Sequence, residues 1–256
     1  MGGGHRPRRV LALHVDRASP VHRLPASAKL VALVGFVVPV AVTPRHAVWA
    51  FAVHAGVLAA VVFVARLPLR IVLARLAVVA PFLVAAALLP FIGQGDRTEL
   101  AGLSLSVDGS WAAWNMAAKA VLGAAAGIVV AATTPVPDLL AGLSRLRVPA
   151  VLVAIIGFMI RYLDVIADEL GRMRTAMVAR GHDPRWLWQA RPIASSVGTL
   201  FVRSYERGER VHLAMAARGF TGTMPDLGTV TTRRRDMVAA GTVVIVAVST
   251  TTAALW

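Results

Sequence analysis

The chain has no cysteine, only two lysines and only two tyrosines in 256 residues. Without cysteine there is no disulfide framework and no thiolate metal site. Charged residues are scarce, at 16%, against roughly 25% in an ordinary soluble domain. Neither lysine, Lys29 or Lys119, closes a Gly-x-x-x-x-Gly-Lys-Ser/Thr loop. The backbone cradle for nucleotide phosphates is therefore missing, and ATP hydrolysis cannot be assigned to this chain. The seven histidines are scattered, without metal-ligand spacing to one another or to a carboxylate. A membrane-embedded enzyme would need such a cluster near the membrane surface. A permease with its own substrate path would need several polar residues facing one cavity. The apolar runs offer only His54, Asn115 and Lys119.

What is abundant is apolar sequence, 57% of the chain, combined with a net charge of +14. With this much apolar residue the excess of arginine reads as membrane topology, not as nucleic-acid binding. A span needs about 20 mostly apolar residues. Runs of that kind or close to it cover Ser27–Val42, Ala47–Ala65, Ile71–Ile92, Trp111–Ala132 and Met237–Leu255. No small-residue cleavage pattern follows the first run, so it reads as an uncleaved span. The segment Gly93–Ser110, with its alternating Leu103-Ser104-Leu105-Ser106-Val107, reads as an outside loop or hairpin. Pro149–Ile160 is apolar but reads as too short to cross before Arg161, Asp164, Asp168 and Glu169 intervene. Basic residues cluster in Met1–Lys29, in Arg66–Arg75 and in Thr133–Asp236, whereas Pro44–His46 and Gly93–Ser110 are poor in them. Five spans place every basic segment inside and both poor loops outside. The expected organisation is an N-terminal cytoplasmic segment over 1–26, four spans over 27–132, a cytoplasmic insertion over 133–236 and a last span over 237–256.

The insertion reads as helical. Leu152, Ile156, Met159, Leu163, Ile166, Leu170, Met173 and Met177 recur at alternating spacings of four and three, the seam of one long helix. Gly181 supplies a left-handed cap and Pro184 blocks continuation. Trp186–Arg191 forms a connector, and a second helix runs from about Ile193 to Arg218, capped by Gly219. Its stripe is Val197, Phe201, Ser204, Gly208, Val211 and Met215. Ser204 and Gly208 are small and four apart, so a crossing of the two long helices is expected there. Pro137–Leu146 reads as a short amphipathic helix at the interface. The fold class is thus an all-α membrane protein with about five transmembrane helices, a module of two long crossed helices and a short amphipathic helix.

One internal repeat stands out. Met177-Val178-Ala179-Arg180-Gly181 ends the first long helix and Met215-Ala216-Ala217-Arg218-Gly219 ends the second. Either copy alone is an ordinary cap, with arginine complementing the helix dipole. Two copies at the ends of paired helices suit two copies of a partner, because an exposed arginine can fork onto a carboxylate. Arg203, Glu206, Arg207 and Arg210 sit at ion-pairing spacing on the second helix.

These paired ends resemble the transmembrane coupling component of energy-coupling-factor transporters. Leu24–Leu30, Thr134–Leu140 and Arg203–Arg210 are similar to the cobalt-type, CbiQ-like branch. The resemblance implies a scaffold without catalysis in the bacterial cytoplasmic membrane. It implies two ABC ATPase subunits, which bind the ATP and magnesium, and a substrate-binding membrane subunit as partners, with no cofactor in this chain. Ala179, Arg180, Gly181, Ala217, Arg218 and Gly219 would dock on the ATPases. Cobalt is the implied substrate, with nickel or a vitamin as the alternatives within the family and a permease of another class beyond it.

A cysteine introduced near Asp183 should be labelled by a membrane-impermeant reagent only from the cytoplasm, and one near Gly95 only from outside. Labelling of the Asp183 site from outside would sink the five-span topology.

Overall fold

A computed structural model describes residues 15, 17–93, 96–100, 103–181, 191–220, 222 and 234–256. The helices are α1 (Pro20–Arg23), α2 (Ala26–Val42), α3 (Val48–Val64), α4 (Leu69–Leu76), α5 (Ala80–Ile92), α6 (Val107–Thr133), α7 (Val136–Arg145), α8 (Ala150–Ala179), α9 (Arg191–Ala216) and α10 (Arg234–Leu255). A single 3₁₀ turn, Ala77–Val79, joins α4 to α5 into one stretch, Leu69–Ile92. Strands β1 (Arg97–Leu100) and β2 (Leu103–Ser106) form the hairpin foreseen between α5 and α6, pairing Arg97 with Ser106 and Leu100 with Leu103. The chain divides into two compact units, one over 13–146 and 228–256 and the other containing 147–227.

In the first unit α2 is central. It packs on α10, α7 and α6, while α5 packs on α6. Phe36, Val40, Phe51, Leu122, Ala126 and Ala247 bury one another in its core. Close helix approach depends on particular glycines. A Cβ at Gly35 would stand 2.5 Å from the Val244 side chain on α10, and one at Gly142 of α7 would stand 2.9 Å from Ala26 Cβ. The latter contact binds α7 to the start of α2, so α7 belongs with this unit, not with the insertion in which the sequence placed it.

The two lysines tie α2 and α6 together. Lys29, in the first turn of α2, is 5% exposed. Its ammonium donates to the carbonyl of Thr133, the last residue of α6, at 2.9 Å, to Thr134 Oγ1 at 3.1 Å and to the His22 carbonyl at 3.4 Å. Lys119, inside α6, donates to the Ala41 carbonyl near the end of α2 at 2.7 Å. Each lysine therefore satisfies carbonyls that its neighbour's last turn leaves without an intrahelical partner. At the opposite end Arg45 pairs with Asp108 at 3.1 Å. Both of those side chains are exposed, so this pair adds little.

Among the described residues, four helical stretches are long and apolar enough to cross a membrane by length and composition: Leu69–Ile92, α6, α8 and α10. Helices α2 and α3, 17 residues each, sit at the lower limit of about 17. The appearance of α8 in this group departs from expectation. The apolar run ends at Arg161, but the helix is 30 residues long and its most apolar 18-residue stretch carries no more than two charged side chains, which brings it into this group. In the second unit α8 and α9 run antiparallel. Arg191 opens α9, and the rest of the expected connector, with His182, Asp183 and Pro184, lies outside the described residues.

Replacing Lys29 by methionine keeps the aliphatic volume but strands the Thr133 carbonyl and the Thr134 hydroxyl. Such buried, unpaired groups cost about 1–3 kcal/mol each. The detergent-solubilised variant should unfold at a clearly lower temperature, whereas Arg45→Gln should unfold close to wild type. Equal thermal midpoints for the Lys29→Met variant and wild type would show that the cap carries no stability.

Candidate partner-docking site

The two Ala-Arg-Gly ends are built alike. Gly181 and Gly219 both adopt left-handed backbone, with φ of 77° and 81°. The Gly181 amide donates to the Val178 carbonyl at 2.9 Å. At the end of α9 the Gly219 amide donates to Ala216 and the Phe220 amide to Met215, both at 3.0 Å. These are the two bonds that define a Schellman ending. A residue with a Cβ is strained at this φ, which is why glycine stands at both positions. The cap turns the chain away from the helix axis directly after the arginine. Arg180 and Arg218 are both exposed. Among the described residues, neither guanidinium has an ion-pair or side-chain hydrogen-bond partner. Ala179 and Ala217 are exposed beside them, small enough to let a partner surface reach the arginine.

The antiparallel pairing sets where the tips lie. Ser196 near the start of α9 bonds Met177 near the end of α8, at 3.4 Å. Arg203 reaches across to Glu169, which also binds Arg172 one turn along its own helix. These two arginines hold the Glu169 carboxyl below the usual carboxylate range through their hydrogen bonds. Beyond this bridge the helices part around a groove of about 740 Å³, lined by Val151, Phe158 and Ile166 on one side and Leu200, Val211 and Met215 on the other. The ends of α8 and α9 therefore point in opposite directions. From Ser196 to Met215 alone α9 advances roughly 28 Å at 1.5 Å per residue, so Arg180 and Arg218 are separated by at least that order of distance.

The crossing expected at Ser204 and Gly208 is not found. Ser204, half-buried, and Gly208 both line the groove, and among the described residues a Cβ on Gly208 would meet nothing within 4 Å. The helices are joined at Glu169–Arg203, next to Ser204, and at Met177–Ser196, nearer the start of α9, so they meet at one end and diverge at Gly208. Of the charged residues on α9, Arg210 pairs with Glu206 at 3.8 Å as the spacing suggested, whereas Arg203 takes the interhelical partner. Glu169 was not singled out in the sequence, because it lies among four acidic and basic neighbours and nothing local marks it as the bridging one.

The intramembrane polar residues are also placed. His54 is fully buried. Its Nε2 stands 3.5 Å from Thr251 Oγ1, which in turn contacts Thr43 Oγ1 at 3.2 Å, and its ring meets Phe36 edge-on at 5.7 Å. It links α3 to α10. Asn115 Oδ1 is buried without a hydrogen-bond partner among the described residues.

Comparison with known proteins agrees with this architecture. The family model described as cobalt transport protein, CbiQ, matches residues 17–227. The chain is 34% identical over 166 residues to the cobalt transport protein CbiQ of Rhodobacter capsulatus, covering 64% of this chain and 66% of that protein. It is 33% identical over 114 residues to the nickel permease LarQ of Lactiplantibacillus plantarum, covering 44% and 41%. It is 31% identical over 147 residues to the energy-coupling factor transporter transmembrane protein EcfT of Limosilactobacillus fermentum, covering 51% and 54%. The chain thus spans less than two thirds of the length of these curated relatives.

If the caps orient the arginines, Gly219→Ala should strain the Schellman turn by roughly 1 kcal/mol, the cost of forcing a Cβ into left-handed backbone. Hydrogen exchange at the Gly219 and Phe220 amides should accelerate several-fold while amides in the middle of α9 stay protected. Unchanged exchange at those two amides would remove the cap from the account of the site.

Proposed function

The chain belongs to the CbiQ cobalt transport protein family, and on that premise we propose that it is the transmembrane coupling subunit of an energy-coupling-factor importer. In this reading two partner ABC ATPases bind and hydrolyse ATP, a separate membrane subunit binds the substrate, and this multi-pass chain joins them without catalysing a reaction. The unit containing 147–227 and the N-terminus face the cytoplasm, as their arginine content favours. The α8 helix lies on that side despite its apolar first half, because its second half carries Arg161, Asp164, Asp168, Glu169, Arg172 and Arg174.

One observation carries the proposal: two exposed arginines, unpartnered among the described residues, stand on matching glycine-capped ends that point in opposite directions. A single partner groove has no use for both. Two copies of one ATPase would each receive one tip, with Arg180 and Arg218 forking onto an acidic residue in the respective groove. Closing of the ATPase pair on ATP would then move the tips relative to each other. The Glu169–Arg203 contact would link α8 to α9 as the tips move. Cobalt is the proposed substrate, in line with the family description and the Rhodobacter capsulatus relative. Nickel is the second reading, favoured by the similarity to a nickel permease. In this reading the substrate-binding subunit makes that choice.

Arg180→Glu combined with Arg218→Glu should release the ATPases or uncouple hydrolysis from uptake. Stranding a buried charge partner costs on the order of 2–5 kcal/mol per site. The readouts are ATPase co-purification and ATP-dependent metal uptake for each single variant and the double variant. Wild-type retention and uptake in the double variant would reduce the two ends to plain helix caps.

A further inference from the structure

Helices α1, α2, α3, α6 and α10 leave an open groove of about 340 Å³ between them in the membrane unit. Its wall is almost wholly apolar, including Leu24, Leu33, Phe36, Val61, Val130 and Val243. On α2 it extends from Ala28 to Phe36, roughly 12 Å at 1.5 Å per residue. One leaflet contributes about 15 Å of a hydrocarbon core roughly 30 Å thick. The groove therefore runs most of the depth of a single leaflet. Water cannot fill it stably, because a bound water needs two to four polar partners. Left empty, its lining forfeits dispersion contacts on one side.

The rim at one end is chemically different. Arg23 stands between the lining residues Val21 and Leu24, and Arg66 lies two residues beyond the lining residue Val64. Arg17 donates to the Arg66 backbone carbonyl at 3.1 Å, which brings its guanidinium to the same end of the groove. All three are exposed. Among the described residues, none of them pairs with a carboxylate. Lys29 also borders the groove, but its ammonium already has three acceptors in Thr133, Thr134 and His22. The free positive charge is thus arginine alone, the side chain whose planar fork matches phosphate.

We propose that this groove binds one acyl chain of an anionic glycerophospholipid, with the phosphate held by Arg17, Arg23 and Arg66. The chain fills the gap between α2, α3 and α10, and the arginines select a headgroup that carries no ammonium of its own. The lipid is a structural element of the bundle, distinct from the docking arginines of the other unit.

The test uses the full chain, extracted with its membrane lipids and examined by native mass spectrometry, then delipidated and offered phosphatidylglycerol or phosphatidylcholine in mixed micelles. Wild type should retain one tightly held anionic lipid and rebind phosphatidylglycerol in preference to phosphatidylcholine. Arg23→Gln with Arg66→Gln should weaken phosphatidylglycerol binding by roughly ten- to thirtyfold, since each surface cation contributes about 1 kcal/mol toward an anionic lipid. Ala60→Trp leaves every arginine in place but fills the groove from its exposed wall, and should abolish the tight lipid. Equal binding of the two lipids would overturn the proposal. So would undiminished phosphatidylglycerol binding by the Ala60→Trp variant, which would mean that the arginines attract lipid only as diffuse charge. Crosslinking from position 60 to a protein helix in place of lipid, in the assembled complex, would overturn it as well.

Discussion

Two ammonium groups close the membrane unit by capping the helix ends of each other's partners. A helix leaves its last four carbonyls without intrahelical donors. Near or within hydrocarbon no water replaces them, and each orphan is expensive. Lys29, at the start of α2, covers the end of α6, and Lys119 within α6 covers the end of α2. Because α2 and α6 are antiparallel, one pair of helices supplies both donors and both acceptors. The partial negative charge at each helix end also compensates the ammonium it receives. The hydroxyls of Thr43 and Thr133 bond back to Pro39 and Val129 at these same ends, so few backbone groups remain exposed there.

Much else follows from that clamp. It sets the height of α2 against α6, and thereby where Gly35 meets α10 and where Gly142 of α7 reaches Ala26. The core around Phe36, Val40 and Leu122 can then interdigitate only in one vertical register. Gly123 and Gly127 on α6 have open space in front of them, whereas Gly35 and Gly142 do not. The small residues that matter for packing are those that the lysine clamp brings opposite a neighbour.

The charged unit follows different physics. It has few buried residues, and among the described ones only Ala154 of α8 is buried. Its two helices hold each other through the Glu169–Arg203 ion pair and the hydrogen bond from the Ser196 hydroxyl to the Met177 sulfur. Exposed pairs of this kind are worth little individually. The groove that opens beyond them, with Phe201, Tyr205 and Leu213 exposed on α9, belongs to a unit whose surface is far from satisfied by the chain itself. Under the proposed function these helices would gain further contacts from neighbouring proteins.

The all-helical class, the membrane location, the hairpin between α5 and α6, and the glycine-capped ends at Gly181 and Gly219 were legible in the sequence alone. Each depends on local rules: apolar run length, alternation, and the freedom of glycine at positive φ. The family was legible too, because its signature consists of short contiguous motifs. The tertiary structure decided the rest. The sequence pattern at Ser204 and Gly208 permits a close crossing, but only the angle between α8 and α9 determines whether a partner stands there, and among the described residues none meets Gly208. The roles of Lys29, Lys119 and Glu169 were invisible for the same reason: their partners, Thr133, Ala41 and Arg203, lie tens of residues away in the chain. Spacing along a helix says which face a residue occupies, but only packing brings that face to a partner.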